Sequence, residues 1–445
     1  MIGLQEKTVS KEVKASSAWP VLLAAFLATA VFLFLVVPRL QSAFALKYSV
    51  LFQDGYDLIA NNLIHGHGYR WDANMGETMI REPGYPLFLA VVFKLGGYNL
   101  EVTRFANWLL SIGIAIMIMR LARLLTDDER IALIASLLFV FNPGTLICEA
   151  RGGVEVLFIF VILVFMLLLH RAVERQSPWR YLIAGLALGV VVQVRSTPLL
   201  FPGLLMLFLV LTSKSTRERL RAVRNVAILT LGMVAVMTPW IIRNYLLVHE
   251  FVPTATVQGL ALQEGQYTCE NRSSGRSFYM LQTEAGQQRD ALANQLGIQA
   301  GDQYYQVFAD PQDEWKLNHA LLKGAEAEYA RRPGLFATCA ARNALNFWFL
   351  GKTREVTSVD VVLQLPMLLL AAHGLYLLWR RGRLRKMGII VAFGLSIMAI
   401  HMAVIAAARY SVPVVALLTI PAGVSVMSIW QGMSNHARRD TASAA

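Results

Sequence analysis

Four arginines, Arg151, Arg195, Arg243 and Arg409, each stand at the end of a long apolar run. All four ends fall on the same side of a membrane once the chain's path is traced below. An ionised side chain at such depth is costly and marks a functional cavity. A guanidinium donates two parallel hydrogen bonds from a rigid fork, which suits a phosphate. One such arginine can simply snorkel to lipid headgroups; four on one side favour a shared cavity. Arg70 and Arg81 add two cations in the first long loop. The same loop carries Asp54 and Asp57 in Phe52-Gln53-Asp54-Gly55-Tyr56-Asp57-Leu58-Ile59. The plainest reading of Asp54 is a helix N-cap, with Asp57 at N3 and Leu58, Ile59 and Leu63 on an apolar face. A capping carboxylate at a membrane surface can still face a cavity. Glu82 and Glu155 could join Asp54 in holding a divalent cation, since oxygen ligands suit magnesium or manganese. His65-Gly66-His67, flanked by glycines and without a third ligand, reads as a loop turn.

The elements that must position these residues are legible from hydropathy. The chain has 445 residues, 56% of them hydrophobic and only 16% charged. Soluble domains carry about 25% charged residues, so the composition argues against a soluble enzyme, and the high hydrophobicity excludes a disordered chain. Apolar runs cover Ala18–Val37, Thr103–Leu125, Ile131–Leu146, Val154–Leu169, Tyr181–Val194, Pro198–Leu211, Val226–Ile242, Val361–Trp379, Met387–Ala407 and Val412–Trp430. They predict an all-α polytopic membrane protein with about ten transmembrane helices, because backbone groups in lipid must be satisfied within the segment. Ala43-Phe44-Ala45 has the small residues of a cleavage site. The first run exceeds the usual apolar core of about 7–15 residues, so it reads as an uncleaved span.

Lys and Arg number 41 against 29 Asp and Glu, a net charge of +12. The excess sits in alternate short loops: Arg120, Arg123 and Arg130; Arg171, Arg175 and Arg180; Lys214 to Arg224; Arg380 to Lys386; and Arg438 and Arg439. The positive-inside rule accounts for it, so nucleic acid is not needed as a partner. It puts both termini in the cytoplasm of a multi-pass plasma (inner) membrane protein. Three regions follow: 1–242, a transmembrane catalytic module with outer loop 38–101; 243–360, an extracytoplasmic segment; and 361–445, the last transmembrane helices and a cytoplasmic tail. Within the middle region Asp310 caps a helix with Pro311 at its first position. Leu335–Leu350 reads as an interfacial or re-entrant helix, and Gly84–Leu95 as a short interfacial one. Three cysteines make neither a disulfide framework nor a zinc site. Cys148 and Cys269 both fall outside, where a disulfide is permitted; two free thiols are the simpler expectation, since their loops need not meet.

Several ordered segments resemble a known family. They are the acidic-Gly-Tyr stretch at Asp54, Arg81-Glu82-Pro83-Gly84-Tyr85-Pro86-Leu87-Phe88-Leu89, Asn142-Pro143, Arg195-Ser196-Thr197-Pro198, Thr238-Pro239-Trp240-Ile241-Ile242-Arg243-Asn244-Tyr245 and Arg409-Tyr410-Ser411-Val412-Pro413. The set is similar to the GT-C class of polyprenyl-phosphate-dependent glycosyltransferases, in particular the dolichyl-phosphate-mannose protein mannosyltransferases and the lipid A aminoarabinose transferases. The resemblance implies inverting sugar transfer from a polyprenyl-phosphate donor on the outer face, with Asp54 as general base. Asp57 is the backup. Arg70, Arg81, Glu82, Arg151, Glu155, Arg195, Arg243, Arg409 and Tyr410 are the implied substrate contacts. The acceptor is a glycolipid such as lipid A in lipopolysaccharide, another cell-envelope glycan, or a protein hydroxyl. The chain departs from the pattern where Asp54-Gly55 replaces two adjacent acidic residues and Arg81-Glu82-Pro83 replaces Lys-Pro-Pro. A transporter or flippase of lipid-linked sugars should instead show repeat symmetry and broken helices at the midplane. An O-antigen-type polymerase would not need the Asp54 loop.

Overall fold

The computed structural model describes residues 18–39, 54–272, 275–298 and 308–443. The side chains of 385, 386 and 435–443 are outside the description, as are Ala43-Phe44-Ala45, Phe52 and Gln53. The helices in chain order are α1 (Ala18–Val31, continued by a π turn at Phe32–Val36), α2 (Tyr56–Ile64), α3 (Gly84–Gly96), α4 (Leu100–Thr126), α5 (Glu129–Val140) and α6 (Pro143–Ala150). Then come α7 (Val154–Arg175), α8 (Pro178–Val194), α9 (Phe201–Thr212), α10 (Thr216–Val248), α11 (Val257–Glu270) and α12 (Phe278–Gln295). The chain closes with α13 (Pro311–Arg331), α14 (Pro333–Phe349), α15 (Arg354–Arg380), α16 (Leu384–Ala403) and α17 (Val412–Ser443). The described residues contain no strand.

Each of the expected apolar runs is mostly helical, with breaks at Phe141 and Asn142 and after Ala403. Among the described residues six helices are long and apolar enough to cross a membrane: Ala18–Arg39, α4, α7, α10, α15 and Ala408–Ser434. The run Ile131–Leu146 is instead a bent pair, α5 and α6, meeting at 47°, and it would make a seventh span if the two halves cross together. The helices at Pro178–Val194, Thr197–Thr212 and Met387–Ala403 are shorter. The described residues thus make a multi-pass, all-helical membrane protein: six of the ten expected runs are helices long enough to span singly, one is the bent pair, and three are the shorter apolar helices. The bend has a local cause: Asn142 caps α6 through the Thr145 amide and Pro143 opens it, so α5 cannot run on.

Helix ends carry their own stop and start signals. Asn99 caps α4 at Val102, and Asp128 caps α5 at Arg130 and Ile131. Ser215 caps α10 at Glu218, whose carboxylate turns back to the Lys214 amide. Asp310 caps α13 with Pro311 behind it, as expected.

Side-by-side packing uses small residues where backbones meet. A Cβ at Gly185 of α8 would collide with the Leu229 carbonyl of α10. One at Gly374 of α15 would collide with the Pro421 carbonyl of α17. Such close approaches supply the dispersion contacts that hold helices together in lipid, where no water is left to expel. One large apolar core runs through α3, α4, α5, α7, α8, α10, α16 and α17.

Two ends of this bundle differ in character. At one, the basic turns meet: Arg383 donates to the Thr126 carbonyl at 2.8 Å, and Asn225 to Gln176 at 3.4 Å. At the other, fully buried Arg104 pairs with Glu101 at 2.7 Å and donates twice to the Ala150 carbonyl. That second end also holds the residues singled out above.

Helices α11 to α14 form a layer joined to the first loop by backbone bonds, Gly76 N–H to the Phe308 carbonyl and Thr256 N–H to the Met79 carbonyl, and by a buried carboxylate. Glu314 accepts from the Thr78 hydroxyl at 2.6 Å, the Met79 amide at 2.9 Å and the Thr256 hydroxyl. Burial pushes its carboxyl above the usual range, while the Thr256, Thr78 and Met79 bonds pull the other way. Cys269 of α11 is bonded to Cys339 of α14, and Cys148 is a buried free thiol. Of the two thiols expected to be free, Cys148 is free and Cys269 is not: its partner is Cys339.

Candidate functional site

Asp54 does not cap α2. The N-cap is Gly55, at φ 67°, and no side chain bonds the helix start. A left-handed turn there is cheap only for glycine. Any Cβ at Gly55 would also run into the Trp71 ring. The turn directs the Asp54 carboxylate away from α2 and onto Arg409. Arg409 Nη1 donates to Asp54 Oδ2 and Nη2 to Oδ1, both at 3.1 Å. This is the two-pronged geometry in which arginine binds a carboxylate most strongly.

Other cations surround the pair. Arg81 Nε donates to the Asp54 carbonyl at 3.3 Å, and its guanidinium lies 5.3 Å from the Tyr56 ring. Burial alone would raise the Asp54 carboxyl; the charges of Arg409, Arg81 and Arg195 outweigh it and hold the group at about 2. Arg195 pairs with Glu155 at 3.4 Å and lies 4.9 Å from the Tyr410 ring. Arg409 lies 5.0 Å from that same ring, so Tyr410 is the surface on which the two guanidiniums meet. His401 stacks on Tyr410 at 4.4 Å and 11°, fixing the ring plane. Glu82 accepts from the Ser196 amide at 3.1 Å, which anchors the turn carrying Arg195. Tyr69 holds the Arg81–Glu82 segment by donating to both carbonyls, at 3.0 and 3.1 Å.

The structure therefore brings Asp54, Arg81, Glu82, Glu155, Arg195, Arg409 and Tyr410 together. Four other candidates go elsewhere. Asp57 accepts from the Tyr98 hydroxyl at 2.6 Å, and burial raises its carboxyl against that bond. Arg70 serves its own loop, donating to the Met75 carbonyl at 2.9 Å. Arg243 ties α10 to the first loop through the Thr78 carbonyl at 2.8 Å and Glu77 at 3.2 Å. Its guanidinium rests 4.7 Å from the Trp240 ring. Arg151 is exposed at the end of α6 and touches the cluster only through its field.

Two residues of the neighbourhood went unmarked in the sequence. The Lys352 ammonium is pushed down by burial and by the charges of Arg409 and Arg151, and drawn up by Asp54. Glu264 of α11 is raised by burial and bonded to Gln282, and Arg409 and Arg81 act on it as well. Both lie outside the apolar runs, in segments without a motif, and no spacing rule marks them.

Four cations, Arg81, Arg195, Arg409 and Lys352, stand against the three carboxylates of Asp54, Glu82 and Glu155, with Glu264, whose carboxyl burial raises, beside them. Such a site can hold an anion and keep one carboxylate ionised beside it. Among the described residues no group of three or more His, Cys, Asp or Glu gathers to hold a metal ion. Asp54, Glu82 and Glu155 are each turned to a nitrogen of the protein. The His65 and His67 rings stack 6.2 Å apart, with their Nδ1 atoms bonded to Asn61 and Asn62.

Residues 81–242 match the model of the dolichyl-phosphate-mannose-protein mannosyltransferase family. The matched segment bears out the family resemblance and includes Arg81, Glu82, Glu155 and Arg195, but neither Asp54 nor Arg409. Two solved structures are similar. ArnT from Cupriavidus metallidurans bound to undecaprenyl phosphate shares 15% identity at a TM-score of 0.38, over 91% of this chain and 77% of that one. The same protein in the apo state shares 16% identity at a TM-score of 0.38, over 92% and 78%. No curated protein sequence matches the chain.

Proposed function

We propose that, like the family its segment 81–242 matches, the protein is a membrane glycosyltransferase. It moves a sugar from a polyprenyl-phosphate donor to an acceptor hydroxyl on the outer face of the plasma membrane. The observation that carries this reading is the Asp54–Arg409 pair inside a surplus of positive charge. Arg409, Arg195, Arg81 and Lys352 receive the donor phosphate. The acceptor oxygen attacks the anomeric carbon from the side opposite the phosphate. The new C–O bond forms as the bond to the phosphate oxygen breaks, which inverts the centre. The hydroxyl proton passes to Asp54, and the leaving phosphate keeps its electron pair and is stabilised by the guanidiniums.

The pairing of Asp54 with Arg409 gives this reaction an order. A carboxylate held at about 2 is fully ionised at neutral pH but weakly basic. General-base efficiency improves as the base's pKa approaches the working pH. A donor phosphate that takes over the Arg409 fork removes the largest lowering influence from Asp54. Asp54 then becomes more basic only when donor is bound. Glu82 and Glu155 act by holding Arg195 in place.

Outward exposure of this site fits both the basic alternate turns and the Cys269–Cys339 disulfide in the α11–α14 layer, since disulfides persist in oxidising compartments. Comparing the membrane lipids and surface glycans of cells with and without the gene tests the function. Loss of one sugar from one lipid or glycan, with its polyprenyl-phosphate donor accumulating, is expected. Unchanged glycans together with altered sidedness of lipid-linked sugars would make the protein a flippase.

A further inference from the structure

A second basic pocket lies in the outer layer, apart from the Asp54 cluster. It has a volume of about 380 Å³ and lies between α11, α12, α14 and the start of α15. Its polar lining includes Arg272, Arg342, Arg354, Asn346, Thr357 and Ser358. Arg272 Nη1 donates to Asn346 Oδ1 at 2.6 Å, Arg342 Nη1 to the Cys269 carbonyl at 3.0 Å, and Arg354 Nη2 to the Gly275 carbonyl at 2.9 Å. Among the described residues neither Arg272 nor Arg342 has a carboxylate partner.

The two arginines are held close by a covalent device. Arg272 follows Cys269 by three residues, and Arg342 follows Cys339 by three. The Cys269–Cys339 bond therefore ties together the two backbone turns that carry them. Like charges brought together without a counter-charge are unfavourable unless an anion joins them. Burial and the charge of Arg342 both push the Arg272 guanidinium below its ordinary value. A neighbouring cavity shares Arg272, Arg342 and Asn346 with it and is also lined by Leu345, which is 66% exposed, so an apolar surface borders the charges.

We infer that Arg272 and Arg342 form a second anion site that binds a phosphate ester, preorganised by the Cys269–Cys339 disulfide. The ester is either the headgroup of a lipid whose chains lie along Leu345 or a water-soluble phosphate. Its lining includes Ile405 and Ala406, just ahead of the Ala408–Ser411 turn that carries Arg409. The inference does not rest on the transfer reading, because binding can be scored with no donor present.

The test is native mass spectrometry of the full-length protein in detergent, titrated with four probes. Phosphatidic acid is compared with diacylglycerol of the same chains, and glycerol 3-phosphate with glycerol. Wild type is expected to bind one equivalent of a phosphate probe that Arg272→Gln binds about tenfold more weakly, the loss expected for one charge-assisted contact. Arg342→Gln should behave alike. Because Arg342 also holds the Cys269 carbonyl, Arg272→Gln decides if that variant misfolds, and the intact mass reports whether the disulfide remains. Binding of phosphatidic acid alone assigns a lipid headgroup; binding of glycerol 3-phosphate as well assigns a soluble ester. Equal binding by wild type and Arg272→Gln, or binding of neither phosphate probe, would overturn the site.

Discussion

Arg409 holds Asp54 by both carboxylate oxygens across 355 residues of sequence, so the loop ahead of α2 is latched to the start of the last helix. This latch sets how the site responds to pH. The folded-state value of Asp54, about 2, lies below the roughly 3.9 of an unfolded aspartate. Its contribution to stability is therefore complete above about pH 4 and lost as pH falls through about 2.

The same sign gives a kinetic expectation. With Asp54 ionised throughout the working range, kcat/KM of the wild type should show no acid limb from this group above about pH 4. Arg409→Ala removes the strongest lowering charge and leaves burial to act, so the acid limb should move up by about one pH unit or more. Arg409→Lys should restore much of the charge but only part of the donor affinity, since the fork is lost. A pH–rate profile unchanged in Arg409→Ala would break the link between the two residues.

Glu314 is expected to govern stability rather than transfer. Glu314→Ala leaves the Thr78 and Thr256 hydroxyls and the Met79 amide without their buried acceptor. Each orphaned group costs about 1–3 kcal/mol. Thermal unfolding should show a lower Tm for this variant than for Glu284→Ala, whose partner Arg276 is more open to solvent. Equal Tm values would mean that the first loop is held by other contacts.

Local signals account for what was legible in the chain. The apolar runs became helices because hydropathy and length are properties of contiguous residues. Asp310-Pro311 became a helix start because a cap acts over three positions. The errors all involve partners distant in sequence or a competing turn. Asp54 looked like a cap, but Gly55 takes the cap position in a left-handed turn packed on Trp71. Cys339 sits in an apolar stretch, and nothing in its surroundings announces Cys269. Arg243 carries the signature of a phosphate ligand, yet Glu77 and the Thr78 carbonyl claim it. The four arginines at span ends thus separate into Arg195 and Arg409, which converge, and Arg151 and Arg243, which do not contact the pair.

Topology can be tested at three positions. Reporter fusions at Lys214 and Arg383 should signal from the cytoplasm and one at Gln288 from outside. In addition, a thiol reagent applied to unfolded, unreduced protein should label Cys148 alone. Reducing the Cys269–Cys339 bond should lower stability by roughly 4 kcal/mol on the chain-entropy account, given a sequence separation of 70. An inward signal at Gln288, or three reactive thiols before reduction, would contradict the outer placement of this layer.

The central claim is that Asp54 takes the acceptor's proton, and single-turnover sugar transfer from a polyprenyl-phosphate donor tests it most directly. Asp54→Asn keeps the size of the side chain but cannot accept a proton at neutral pH, so transfer should fall by roughly 10²–10⁴-fold. Asp57→Asn should cost about 1 kcal/mol of stability through the Tyr98 bond and leave the rate nearly intact. Near-normal transfer by Asp54→Asn would contradict the account: with loss in Asp57→Asn the base would be Asp57, and with loss in neither this loop would have no part in proton transfer.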